Sequence, residues 1–153
     1  MSFLFTLEED RLADQLPDIF DRYQREITKA EPLFLIEGER LELLARNLPQ
    51  HQGHYAVKMQ EMKQLVKWLE NYKAKLEFIH LKNYSRGQRA LSATDQRIFL
   101  GGEQNVIELN QLIIEATLMC NQLDSIVEAF KQMGWMIGNI TKLRVAELQD
   151  VII

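Results

Sequence analysis

The fold class is decided by residues 54–84, which read HYAVKMQEMKQLVKWLENYKAKLEFIHLKNY and contain neither proline nor glycine. Their apolar side chains recur mostly at intervals of three, four or seven residues: Tyr55, Met59, Met62, Val66, Leu69, Leu76 and Ile79. This spacing is typical of an amphipathic helix that buries one face. The stretch therefore predicts one long helix, packed along one side.

A second long apolar stripe follows. It runs from residue 103 to residue 132 through Val106, Leu109, Ile113, Ala116, Cys120, Leu123, Val127 and Phe130. Ser92 and Asp95 form a candidate cap for a short helix that ends near Phe99. Two long helices joined across residues 84–102 are expected to pack as an antiparallel hairpin within a helical bundle, since no β-pattern is visible. The predicted fold class is all-α.

Prolines and glycines divide the rest of the chain. Residues 36–47 read as a short helix, and residues 47–53, which contain Pro49 and Gly53, read as a loop. Thr6 and Glu9 suggest a helix start near Leu7, and Gly134 either ends or bends the second long helix. We expect one domain over residues 1–153, with a helical arm (1–34), the basic helix and turn (35–100), and the second long helix with a C-terminal helix (101–153).

Charge is distributed unevenly. The 153 residues carry a net charge of −4, yet residues 56–90 hold eight Lys and Arg against three acids. On a helical wheel of about 100° per residue, Lys63, Lys67, Lys75 and Lys82 fall roughly opposite the apolar stripe. This pattern fits either a phosphate-binding surface or an ordinary solvated helix face.

Other candidate sites are weaker. Trp68 and Tyr72 are better explained by packing, whereas Tyr84 could pack or stack on a base. His51 and His54 are too few for a zinc site, so neither a metal nor another cofactor is predicted, and no catalytic constellation is recognisable. The single Cys120 excludes an internal disulfide, and no apolar run of about 18 residues suggests a membrane span. A cytoplasmic protein is expected.

The C-terminal region is more apolar than a solvated helix requires. Its apolar residues are Trp135, Ile137, Ile140 and Leu143. Exposed apolar stripes often mark contacts with partners, so self-association is one explanation, and packing on the chain's own hairpin is the other.

Several signatures together resemble the UvsY family of phage recombination mediators. They are Leu35-Ile36-Glu37 followed by Leu41 and Ala45-Arg46-Asn47; a long charged helix that closes at Tyr84-Ser85 with Gly87 soon after; Leu91–Asp95; and GWMIGNI at residues 134–140. The resemblance spans about residues 35–146. It implies an all-helical, non-enzymatic protein that forms ring-like homo-oligomers in the cytoplasm of the infected bacterial cell.

The resemblance also implies partners and a mode of action. Members of the family bind single-stranded DNA and help to load a RecA-like recombinase onto strands coated by single-strand binding protein. A coiled-coil adaptor or chaperone that binds only proteins is the alternative.

The resemblance places DNA contact on the helix before the Tyr-Ser turn. The family's two basic positions fall at Phe78 and His80 in this chain. We expect neighbouring turns to share the contact, which gives the predicted DNA-binding set Lys67, Lys75, His80, Lys82, Tyr84, Arg86 and Arg89. The predicted oligomerisation set is Trp135, Ile137, Ile140 and Leu143.

Overall fold

A computed structural model describes residues 3–86 and 91–150, with the side chains of residues 149 and 150 excepted. Four α-helices dominate it, and no strand occurs in these two ranges: α1 (Leu12–Ala30), α2 (Leu41–Ser85), α3 (Ala93–Gly101) and α4 (Gln104–Asp150). Short 3-10 turns occupy Phe3–Thr6, Glu9–Arg11 and Glu31–Phe34. The all-α prediction is confirmed. Among the described helices, none combines the length and the apolarity that a membrane span requires.

Helix α2 is longer than the sequence predicted, because the expected loop at residues 47–53 is helical. Proline inside a helix removes one hydrogen bond and usually costs about 3 kcal/mol. Pro49 is exposed, so its ring points to solvent, while His51 and Tyr55 pack their rings against Phe130 of α4, with centroids 5.9 and 5.6 Å apart. Tertiary packing therefore keeps the helix continuous through the proline.

Helix α4 also continues where an interruption was possible. Gly134 neither ends nor splits it, and the predicted last helix is part of α4. A Cβ atom at Gly134 would lie 3.1 Å from Cδ2 of Leu48. The absence of a side chain at Gly134 therefore allows α2 and α4 to pack closely, and the glycine does not end the helix.

The helix predicted to begin near Leu7 starts later, at Leu12. Thr6 does not cap it, because its hydroxyl donates to the carbonyl of Phe3. The side chain of Gln15 instead binds the N-terminal segment: its Nε2 donates to the Thr6 carbonyl, and its Oε1 accepts from the Glu8 N–H. The predicted cap of α3 is confirmed, since the Ser92 hydroxyl accepts from the N–H of Asp95.

The chain forms two compact units, which the long helices share. The first comprises residues 1–17 and 61–119, and within it α2 and α4 run antiparallel. Its buried side chains come from α1, α2 and α4: Leu12, Leu16, Met62, Leu65, Leu69, Val106, Leu109, Ala116 and Met119. Burial of each large apolar side chain stabilises the unit by about 1.5–3 kcal/mol. Ile79, which the sequence predicts on the buried stripe, is exposed. The neighbouring His80 instead lies against α4, where its ring contacts the side chain of Asn105.

The second unit comprises residues 18–60 and 120–153. Phe130 is fully buried at its centre and packs on Phe34 with ring centroids 4.6 Å apart. The Tyr55 hydroxyl donates to the Glu26 carbonyl at 2.8 Å and so joins α2 to α1. The other buried apolar residues line the same helices: Ile19, Phe20, Tyr23, Ala30, Leu123, Val127, Met133 and Ile137.

Candidate nucleic-acid interface

One sector of α2 in the first unit is exposed and free of acids. The outer face, as we call it, consists of the residues within about 60° of Phe78 on the helical wheel. Its exposed members are Lys63, Gln64, Lys67, Asn71, Ala74, Lys75, Phe78, Lys82 and Ser85. Leu81, at the edge of the sector, is half-buried. The acids of this part of α2, Glu61, Glu70 and Glu77, lie at least about 80° from Phe78. The outer face therefore presents four lysines without an intervening carboxylate from its own helix.

The lysines of the outer face differ in their partners. Nζ of Lys75 contacts both carboxylate oxygens of Glu9, at 3.1 and 2.9 Å. Within residues 3–86 and 91–150, the side chains of Lys63, Lys67 and Lys82 make no hydrogen bond or ion pair. Arg86 follows the end of α2 and is exposed as well. Most of the positive charge of the outer face is thus available to an anion.

His80 and Tyr84 lie on the opposite side of α2, where they contact Asn105 in the first turn of α4 and Glu103, the residue before α4. The Tyr84 hydroxyl donates to Oε1 of Glu103, and Nε2 of His80 lies 2.9 Å from Oδ1 of Asn105. The two rings stack with centroids 6.3 Å apart, and Nδ1 of His80 lies 3.5 Å from Glu103. Partial burial and the bond to Glu103 raise the pKa of Tyr84 to about 12, so the phenol stays neutral at physiological pH. These side chains fix the end of α2.

The structure therefore divides the predicted DNA-binding set. It places Lys67, Lys75 and Lys82 on the outer face and Arg86 just beyond it, but turns His80 and Tyr84 towards α4. Arg89 lies outside the described residues.

The remaining aromatic residues of this part of α2 differ in exposure. Trp68 and Tyr72 are half-buried, with ring centroids 5.9 Å apart, as the packing interpretation expects. Phe78 is 66% exposed. Sequence reasoning did not include Phe78 or Glu9 in the site. The position of Phe78 among lysines at helical spacing was a usable signal for it, whereas no sequence pattern links Glu9 to Lys75.

The predicted oligomerisation residues belong to the second unit and also separate by exposure. Trp135 and Leu143 are 76% and 65% exposed, Ile140 is half-buried, and Ile137 is buried in the unit's own core. Every side chain from residue 141 to residue 148 is exposed. The end of α4 thus presents apolar residues that the described part of the chain does not cover.

Comparison with known proteins identifies the same fold in crystal structures of the bacteriophage T4 recombination mediator protein UvsY. One lattice form superposes with a TM-score of 0.68 at 19% identity and covers 84% of this chain and 98% of that chain. A second gives 0.70 at 18% identity, covering 84% and 96%. The resemblance inferred from the sequence is confirmed at the level of the fold. No family model and no curated protein sequence matches the chain.

Proposed function

We propose that the chain is a recombination mediator that binds single-stranded DNA along the outer face of α2. The observation that carries the proposal is the row of exposed lysines on a face of α2 to which the helix itself contributes no acid, in a chain whose net charge is −4. Local clusters of this kind attract phosphates even when the whole protein is acidic, because interactions between exposed charges are largely screened beyond about 8 Å at physiological salt. The shared fold with a recombination mediator supports the choice of DNA as the polyanion.

The proposed action is binding without catalysis. The protein holds a strand coated by single-strand binding protein, so that a RecA-like recombinase nucleates while the coating protein leaves. Several copies in one homo-oligomeric ring would each offer an outer face to the same strand. Linking weak sites in this way raises the overall affinity, because each further contact is intramolecular.

Self-association is proposed to use the exposed apolar residues near the end of α4. Trp135 and Leu143 are the residues to change, because Ile137 belongs to the core of the unit. The double variant Trp135→Glu/Leu143→Glu is expected to sediment as a smaller species than the unmodified protein. Val57→Glu, at a 57% exposed position of the same unit, is the control and should leave the assembly unchanged. An unchanged sedimentation coefficient for the double variant would place the contact elsewhere.

DNA binding is tested by fluorescence anisotropy with labelled oligo(dT) at about 50 and 200 mM salt. Each phosphate contact to a single strand adds about 0.7 to the slope of log affinity against log salt. Neutralising Lys67, Lys82 and Arg86 to glutamine therefore removes up to about 2 units of slope. Across that fourfold range of salt, the unmodified protein should lose up to about 18-fold more affinity than the variant.

A matched control removes the same charge elsewhere. Arg22, Arg25 and Arg40 are exposed in the second unit, and their change to glutamine should leave both affinity and slope close to the original values. Equal losses in the two triple variants would show that net charge, not the outer face, governs binding. Absence of binding by the intact protein at about 50 mM salt would refute the proposal and favour an adaptor that binds only proteins.

A further inference from the structure

Phe78 is the aromatic residue of the outer face. It is 66% exposed and makes no ring contact within residues 3–86 and 91–150. The rings of Trp68 and Tyr84, by contrast, each lie near another ring of the chain. A single exposed apolar residue is ordinary on a protein surface. The surroundings of Phe78 are what give it a specific chemistry.

Those surroundings are cationic and polar. Lys75 precedes Phe78 by three residues and Lys82 follows it by four, so they lie about 5 and 6 Å away along the helix axis. Lys67 lies about 20° from Phe78 around the axis, with Asn71 between them along the chain. An apolar protein surface is poorly complementary to such a site, because docking it there would desolvate the ammonium groups of Lys67 and Lys82 without pairing them. A ligand with both phosphates and flat apolar rings satisfies the lysines and the phenyl group together.

We infer that Phe78 stacks on a base of single-stranded nucleic acid while the flanking lysines hold its phosphates. The inference rests on the proposed function and adds the mode of binding to it. Lys75 and Lys82 are about 10 Å apart along the helix, which corresponds to about three nucleotides at a stacked rise of 3.4 Å. Single strands are the fitting class, because bases in a duplex are already stacked and leave no face for the ring.

Two variants of the full chain separate stacking from apolar contact and from charge. Phe78→Leu keeps an apolar side chain but removes the aromatic face, whereas Phe78→Trp enlarges that face. Stacking on an aromatic side chain is worth about 5- to 150-fold in affinity per base. Phe78→Leu should therefore lower the affinity for oligo(dA) by a factor within that range, whereas Phe78→Trp should keep the affinity of the unmodified protein. The salt slope should stay the same in both, because no cation is removed.

A second probe isolates the bases. An abasic oligonucleotide of the same length carries the same phosphates, so the unmodified protein and Phe78→Leu should bind it equally. The control variant Ile98→Ala, at a 68% exposed position in α3, should bind both probes as the unmodified protein does. Melting temperatures of the variants check that the fold is intact.

The outcomes are distinguishable. Equal oligo(dA) binding by Phe78→Leu and the unmodified protein would overturn the stacking role and leave the proposed function intact. An equal loss of affinity on both probes would assign Phe78 a role in shaping the outer face instead and would also overturn stacking. Failure of the unmodified protein to bind either probe would overturn the inference together with the proposed function.

Discussion

The ion pair between Glu9 and Lys75 leads to a counter-intuitive prediction: removal of an acid from the N-terminal segment should strengthen DNA binding. Nζ of Lys75 lies within 3.1 Å of both oxygens of Glu9, so this lysine of the outer face is partly neutralised. Both side chains are well exposed, at 59% and 42%. Exposed ion pairs of this kind contribute about 0.2–1 kcal/mol. A phosphate that binds Lys75 must break the pair with Glu9, so its binding is weakened by that amount.

Glu9→Gln removes that competition while it keeps the size of the side chain. The affinity for oligo(dT) is expected to rise by about 1.4- to 5-fold, the ratio that corresponds to the free energy of the pair. The salt slope is expected to steepen by up to about 0.7, because one more cation becomes available to a phosphate. Anisotropy titrations at several salt concentrations measure both quantities.

Two comparisons separate the broken pair from a change in net charge. Asp10→Asn removes the same charge one residue away and should have the smaller effect, since no contact of Asp10 with Lys75 is present in the described structure. In the Lys75→Gln background, Glu9→Gln should have little further effect. Equal gains for Glu9→Gln and Asp10→Asn, or a gain that survives Lys75→Gln, would refute the competition.

Three further predictions concern stability. Phe130→Ala should lower the free energy of unfolding in urea by about 3–5 kcal/mol, because a fully buried ring is lost; a loss below about 1 kcal/mol would contradict its central place. Ser92→Ala should destabilise α3 by about 1 kcal/mol, seen as faster amide hydrogen exchange confined to that helix; unchanged exchange would rule out the cap. The hydrogen bond with His54 lowers the pKa of Glu26 from its usual 4.5, so its contribution to stability is complete above the unfolded pKa and is lost as pH falls through the folded one. In His54→Ala, the free energy of unfolding should therefore decrease less steeply as the pH falls below about 4.5. The same pH dependence of the urea midpoint in the variant and the unmodified protein would contradict this role of His54.

The periodic parts of the fold were predictable from the sequence. The stripe from Val106 to Phe130 predicted the buried face of α4 well, because a continuous helix buries residues at constant spacing and nothing in that stretch interrupts it. The cap at Ser92 was predictable because it is local: the hydroxyl of Ser92 and the N–H of Asp95 belong to residues only three positions apart.

The errors arose where distant residues decide the local structure. Pro49 predicted a break, but contacts of α2 with Phe130 outweigh the lost hydrogen bond. Gly134 suggested either a helix end or a bend, although its role is to admit Leu48. The pairing of Glu9 with Lys75 joins residues 66 positions apart, which no local pattern encodes. The spacing of the lysines was visible in the sequence, but their state of pairing was not.

The acidic remainder of the chain has a physical consequence under the proposed function. At physiological salt, fields from exposed charges decay over about 8 Å, so, apart from Glu9 at Lys75, distant acids scarcely weaken the binding of a phosphate between Lys67 and Lys82. The same acids disfavour contact wherever a strand strays from the outer face, because each such contact brings like charges together. The strand is therefore confined to the outer face, where Phe78 is the aromatic side chain available to stack on a base. On this reasoning, the lysines determine how strongly the strand is held, and the surrounding acids determine where it lies.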